Sequence, residues 1–171
     1  MGSIRREGII AGLIGATVVA LWFLFVDLTT RELFWTPSAL GSALFQGARG
    51  VEEVEISAAM FLGYTVFHFA AFVAIGLVAA ALAAQAERHN AVLLGAILLF
   101  VTLETLFLGL GAIAARWLLD ALNGWVVLGA NLVAALAMGV YLWRAHPGLR
   151  KQFSRDHEEH DFGGTETRIA R

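Results

Sequence analysis

The sequence predicts an all-α integral membrane protein: a four-helix bundle with up-down topology and a short interfacial helix in its first outer loop. Apolar residues make up 58% of the 171 residues and charged residues 15%, a balance unusual for a soluble globular domain. Four stretches each provide the roughly 20 apolar residues that an α-helix needs to cross a bilayer. The 18 glycines and abundant alanines suit closely packed transmembrane helices, because small side chains let helix backbones approach.

The predicted spans cover residues 8–28, 57–84, 91–115 and 124–143, within a transmembrane domain over residues 1–146. Short connections follow the second and third spans, so that neighbouring spans run antiparallel. The first apolar stretch is too long for the hydrophobic region of a signal peptide, and we expect it to be retained as a span. The charged segment over residues 147–171 is predicted to be a cytoplasmic tail with little independent fold.

The placement of arginine and lysine predicts that both termini are cytoplasmic, because basic residues concentrate on that side of a membrane. Basic residues precede the first span, follow the second and follow the fourth: Arg5, Arg6, Arg88, Arg144, Arg150, Lys151 and Arg155. Tryptophans mark the predicted outer interface at Trp35, Trp117 and Trp125 and the inner one at Trp143. In a bacterial cell this topology corresponds to the inner membrane, with the acidic loops on the periplasmic side.

The first outer loop, residues 29–56, is too long for a simple connection. Its segment WTPSALGSALFQGARG predicts a short helix with Thr36 as N-cap, Pro37 at the first helical position and an end at Gly47. The apolar residues expected on one face of this helix are Leu40, Leu44 and Phe45. Since the helix is too short to span, we expect it to lie on the membrane surface, either covering the bundle or forming a lid or docking surface.

Ionisable side chains inside predicted spans are candidates for function, because burying them in lipid is costly. His68 occurs in YTVFHFAAF and Glu104 in LLFVTLETLFLG. At about 1.5 Å per residue, His68 lies roughly 16 Å from the outer end of its span, and Glu104 and Asn131 each lie roughly 10 Å deep. Tyr64 precedes His68 by one helical turn, at about the depth of Glu104. The candidate intramembrane polar or ligand site therefore consists of His68, Glu104, Asn131 and Tyr64.

This candidate site has three open interpretations. His68 and Glu104 could form an interhelical hydrogen bond, worth around 1 kcal/mol in membranes. His68 could instead coordinate a metal, haem iron or chlorophyll magnesium, or Glu104 could relay protons. The spans contain no second histidine at a suitable depth for haem and no repeated Glu-x-x-His pair for a diiron site. No cofactor, metal or catalytic residue is therefore assigned.

Three further patterns favour structural roles. Asp27 and Arg31, one turn apart, are expected to form a solvated ion pair that contributes little to stability. In the tail, His157 and His160 lie in DHEEHD, but they lack a fixed scaffold and receive no metal role. Small residues four apart predict close helix contacts, with a partner in this chain or in another; the pairs are Gly8 with Gly12, Ala11 with Gly15, Gly12 with Ala16, and Ala135 with Gly139.

The net charge and the cysteine content argue against several classes of function. A formal charge of −2 without a basic stripe argues against nucleic-acid binding, and the absence of cysteine excludes disulfides and thiol chemistry. We expect a non-catalytic accessory or assembly subunit of a larger membrane complex. Its contacts would be the lipid bilayer and either a membrane-protein partner or a second copy of the chain. The alternative is a cofactor-binding, metal-binding or proton-conducting bundle centred on His68 and Glu104.

Overall fold

The structure is a computed structural model that describes residues 2–86 and 116–147. Five α-helices occur in these ranges: α1 (Gly2–Thr30), α2 (Trp35–Gly41), α3 (Ala58–Ala86), α4 (Arg116–Leu122) and α5 (Gly124–Ala145). A π-helical turn, Ser42–Gln46, continues α2, and a 3₁₀ turn, Val51–Glu53, precedes α3. By length and composition, α1, α3 and α5 could each cross a membrane.

The three long helices correspond to the first, second and fourth predicted spans. The third predicted span, residues 91–115, and the tail from residue 148 lie outside the described residues, so the four-span bundle stays a prediction. We call the end of the molecule at which α1 ends and α3 begins the loop side. The opposite end is the terminal side.

α1 and α3 meet backbone to backbone. A Cβ atom built on Gly8 would lie 2.7 Å from the Cα of Leu77, and one built on Gly12 would lie 2.6 Å from the Cα of Val73. Any side chain at these glycines would push the two helices apart. Residue numbers rise along α1 as they fall along α3, so the helices are antiparallel. The first small-residue repeat therefore packs against α3 of the same chain.

α5 packs on another side of α1, also antiparallel to it. The Sδ atom of Met138 lies beside Gly15, and the Trp22 indole lies against Gly129. The buried side chains of α5 follow the helical period and are Val127, Ala130, Ala134, Met138 and Leu142. Gly139 is different, because a Cβ built there would meet nothing within 4 Å. The Ala135 and Gly139 pair therefore does not form a close helix contact in the described structure.

α4 occupies the position at which the sequence indicated only a short connection. Its Leu118 and Leu122 are buried in a cluster with Phe23 of α1 and Ala39 of α2. Asn123 separates α4 from α5 with a φ of 60°, and its side chain accepts a hydrogen bond from the backbone N–H of Trp125. A seven-residue helix is not stable alone. Packing on the loop side of the bundle therefore stabilises α4.

Candidate functional site

Asp27 and Thr36 join α1 to α2 on the loop side. The Asp27 side chain is fully buried, and its carboxylate accepts the backbone N–H of Thr36 at 2.8 Å and the Thr36 hydroxyl at 2.5 Å. The first N–H groups of a helix have no partner within the helix, so Asp27 satisfies one of them from a neighbouring helix. The predicted solvated pair of Asp27 with Arg31 is therefore wrong.

Arg31 makes a different set of contacts. Its Nη2 donates to the backbone carbonyl of Ala121 at 2.6 Å, and its guanidinium stacks 4.6 Å from the centre of the Trp35 ring. Ala121 lies in the last turn of α4, where carbonyl groups lack helical partners and a positive charge is favourable. Asp27 and Arg31, one turn apart, thus hold the ends of two different short helices instead of pairing with each other.

The segment held by these contacts is a structured cap, which we define as residues 33–48. Its helix begins at Trp35, after Phe34 in a left-handed conformation with a φ of 65°, so Thr36 is not the N-cap that the sequence predicted. The predicted end at Gly47 is confirmed: Gly47 has a φ of 72° and its N–H bonds to the Ser42 carbonyl. The Ser42 hydroxyl accepts the N–H of Glu55 at 3.0 Å, which ties the cap to the segment before α3.

The polarity of the cap is inverted relative to a helix on a soluble protein. Its buried side chains are small or hydroxylated, namely Thr36, Ser38, Ala39 and Ser42. Its large apolar side chains are exposed, with Leu33 46%, Phe34 39%, Leu44 48% and Phe45 51% exposed, and the polar side chain of Gln46 is exposed beside them. The predicted apolar face of Leu40, Leu44 and Phe45 is not a single face: Leu40 packs against the buried cluster, whereas Leu44 and Phe45 are about half exposed.

His68 contacts α1 within the bundle. It is 9% exposed, and its Nε2 lies 3.1 Å from the carbonyl oxygen of Ala16. Because a carbonyl oxygen only accepts hydrogen bonds, Nε2 carries a proton and donates. The imidazole also packs against Phe72, with ring centres 4.8 Å apart, and Phe69 at 5.8 Å. Nε2 is therefore engaged in a helix–helix hydrogen bond, and a metal could reach this side chain only at Nδ1.

The other members of the predicted site have separate positions. Tyr64 packs its ring 5.8 Å from the imidazole of His68. Asn131 lies on α5, partly buried, and no hydrogen bond within the described ranges joins it to His68 or Tyr64. Glu104 lies outside the described residues. The described structure therefore brings Tyr64 to His68, whereas it does not connect Asn131 to them.

Glu7 and His146 are in contact on the terminal side. His146 Nε2 lies 3.5 Å from Glu7 Oε2, and His146 Nδ1 lies 3.1 Å from the Leu142 carbonyl oxygen. The contact with Glu7 is an ion pair when the imidazole is protonated. The pair connects the first turns of α1 to the end of α5. Sequence reasoning placed His146 only at the end of the span and did not find this partner.

Asp27 could have been recognised from the pattern of α1. Its buried residues recur every three or four positions, at Gly8, Ala11, Gly12, Gly15, Ala16, Val19, Phe23 and Asp27. This helical period extends to Asp27 and places it on the packed face. Its partners could not be found in the same way, because they depend on the path of the chain after Thr30.

The described residues offer few groups for chemistry. No group of three or more His, Cys, Asp or Glu side chains is arranged to hold a metal in residues 2–86 and 116–147. An open cleft of about 550 Å³ lies where α4 meets α5, and its lining is Leu119, Asp120, Asn123, Gly124, Trp125 and Leu128. Asp120 is the one ionisable group in that lining. A single carboxylate in an open cleft does not form a recognisable catalytic arrangement.

The fold defines a helical membrane protein, on the evidence of three apolar helices long enough to span a bilayer. No protein-family model matches the chain, and neither a curated protein nor a solved structure is significantly similar to it. Function must therefore be argued from the geometry of the molecule itself.

Proposed function

We propose that the protein is a non-catalytic accessory or assembly subunit of a larger membrane complex. The observation that carries this proposal is the fixed geometry of the cap, which the buried Asp27 carboxylate attaches to α1 through Thr36. We further propose the full four-span bundle in a bacterial inner membrane, with cytoplasmic termini and with the cap on the periplasmic side.

A fixed cap suits protein docking because a preformed surface loses little conformational entropy when it binds. The charged residues that surround the cap are exposed and available to a partner: Glu32, Arg49, Glu52, Glu53 and Glu55. Arg49 and Glu53 are themselves ordered, since the N–H of Arg49 donates to the Glu53 carboxylate at 2.8 Å. We assign the docking role to this charged rim.

The alternative function is a cofactor site or proton path centred on His68 and Glu104, and of these two residues the structure describes His68. The Nε2–H of His68 donates to the Ala16 carbonyl, and an imidazole in this arrangement serves helix packing. This bond joins α3 to α1 at Ala16, whereas the predicted partner Glu104 lies outside the described residues, so the pairing of His68 with Glu104 stays a prediction.

The test is purification from native membranes in mild detergent, followed by mass measurement of the intact complex. We expect a different membrane protein at fixed stoichiometry, and we expect Asp27→Asn to reduce its recovery while the exposed Glu32→Gln does not. A stoichiometric partner that is only a second copy would replace the accessory role by a homo-oligomer. Recovery of the chain alone, with membrane complexes unchanged after its deletion, would refute both.

The competing cofactor interpretation has its own measurement. The visible absorption spectrum and metal content of the purified protein should not differ between wild type and His68→Ala. For a proton path, vesicles that contain Glu104→Gln should conduct protons as the wild type does. A pigment or metal lost with His68, or a flux lost with Glu104, would overturn the accessory assignment.

A further inference from the structure

The cap packs against the side of the first turns of α3 and does not lie beyond the loop-side end of that helix. A Cβ built on Gly41 would lie 2.6 Å from the carbonyl oxygen of Met60, and the ring of Phe34 packs on Phe61 with centres 4.6 Å apart. Phe45 reaches further, since its ring lies 3.0 Å from a Cβ built on Gly63. Gly63 follows Ala58 by five residues, which places it about 7.5 Å along α3 from its loop-side end.

The exposed side of the cap is continuous with the exposed side of α3. Near Gly63, α3 presents Leu62, Val66 and Phe67, which are 56%, 71% and 52% exposed. These side chains belong to a helix that is apolar and long enough to span, and in a bilayer they face acyl chains. Phe45 lies beside them, so the apolar surface of the cap extends the lipid-facing surface of α3.

The cap has no charged residue that would resist burial in lipid. Residues 33–48 contain no Asp, Glu, Lys, Arg or His, whereas Arg31 and Glu32 precede them and Arg49 follows them. Its hydroxyl groups at Thr36 and Ser42 are turned inward and bonded, the Ser38 hydroxyl is buried without a partner, and the Gln46 amide donates to the Glu55 carboxylate at the edge of the cap. Backbone groups at membrane depth must be bonded within the protein, and the N–H groups of Trp35, Thr36, Ser38 and Ala48 have such partners.

From these observations we propose that the cap is embedded in the loop-side leaflet. Its outward side chains Phe34, Leu44 and Phe45 contact lipid acyl chains, and its hydroxylated face packs on the bundle. A helix on a membrane surface keeps its polar face in water, whereas here the polar face is inside the protein. This inference concerns the apolar surface alone and is independent of any partner on the charged rim.

Spin labels on single cysteines test this directly, because the native chain contains no cysteine. The full chain would be reconstituted in phosphatidylcholine vesicles with a nitroxide at Leu44→Cys or, separately, Phe45→Cys. Collision rates with oxygen, which enters hydrocarbon, and with a water-soluble nickel chelate report the depth of each label. Matched references are Val66→Cys on the exposed face of α3 and Glu52→Cys on the charged rim.

We expect the oxygen-to-nickel ratios at positions 44 and 45 to resemble that at 66 and to exceed that at 52 several-fold. Nickel accessibility equal to that at 52 would overturn the proposal by placing the cap in water. Low accessibility to both reagents would also overturn it, since protein would then cover the surface. Because the two labelled positions are both exposed, one remains informative if the other variant fails to fold.

Discussion

Asp27 and Thr36 are joined by two hydrogen bonds, although they lie on different helices and α1 ends between them. A fully buried carboxylate is stabilised when N–H and O–H donors replace the water that it has lost. This contact therefore fixes both the end of α1 and the position of the cap.

Replacing Asp27 by Asn should destabilise the protein, because the amide nitrogen cannot accept the hydrogen bond that a carboxylate oxygen accepts. Hydrogen bonds to charged groups contribute about 1.5–3 kcal/mol, and we expect a loss in that range. The measurement is the free energy of unfolding in a detergent titration. A double-mutant cycle with Thr36→Val should show coupling, and Glu32→Gln serves as the exposed control. Additive effects of the two substitutions would contradict the assignment.

Arg31→Lys should not be conservative. Lysine lacks the planar guanidinium that stacks on Trp35 while donating to Ala121, and loss of the cation–π contact alone is worth about 0.5–2 kcal/mol. We expect lower stability and faster proteolysis between α2 and α3. Arg49→Lys, at an exposed position, should behave as the wild type; equal behaviour of the two variants would count against a structural role for Arg31.

Gly12→Ala should separate α1 from α3, because its Cβ would overlap backbone atoms of α3. Overpacking of this kind costs about 1–3 kcal/mol, measured as the free energy of unfolding in detergent. The matched control is Gly139→Ala, which places the same methyl group in open space and should leave stability unchanged or slightly higher. A neutral Gly12→Ala would show that the helices do not meet at this position.

His68→Phe should destabilise the protein, and His68→Ala should destabilise it more. Phenylalanine keeps a ring against Phe72 but loses the bond to Ala16, for a cost of about 1 kcal/mol. Alanine also leaves a cavity and should cost about 2–5 kcal/mol. Unfolding free energies measure both, with Val66→Ala on the exposed face of α3 as control. Equal losses for Phe and Ala would indicate that the hydrogen bond, and not packing, dominates.

Glu7→Gln should have a small effect, because the Glu7 side chain is 21% exposed and faces His146 at 3.5 Å. Partly exposed ion pairs are worth about 0–1 kcal/mol, less than we expect for Asp27. The same unfolding titration compares the two variants. A loss for Glu7→Gln as large as that for Asp27→Asn would be inconsistent with this ranking.

The three described spans were predictable because each is a long apolar stretch whose length matches a bilayer. Their ends were less well defined: α1, Gly2–Thr30, extends beyond the predicted 8–28 at both ends, and α3, Ala58–Ala86, extends two residues beyond the predicted end at residue 84. Helices continue past hydrocarbon, and hydropathy detects only the apolar part. The small residues around Gly12 predicted a close contact, but which helix supplies it depends on tertiary packing.

The contacts at the ends of the helices were not predictable. Asp27 and Arg31 have the spacing of a helical ion pair, and the sequence therefore predicted that their side chains pair with each other. In the structure each binds the end of a separate short helix, at Thr36 and Ala121, because unpaired backbone groups there compete for the same charges. Leu40, Leu44 and Phe45 were expected on one face of the cap helix, but Leu40 packs against the buried cluster while Leu44 and Phe45 are exposed.

The position of α1 between α3 and α5 has a consequence for how the protein is made. α1 is synthesised before α3 and α5, yet Gly15 and Trp22 acquire their neighbours on α5 only after that helix has been synthesised. Asp27 differs from these residues because its hydrogen-bond partner, Thr36, follows it by only nine residues. The donors of its carboxylate are therefore synthesised before α3, whereas the α5 partners of Gly15 and Trp22 come after it.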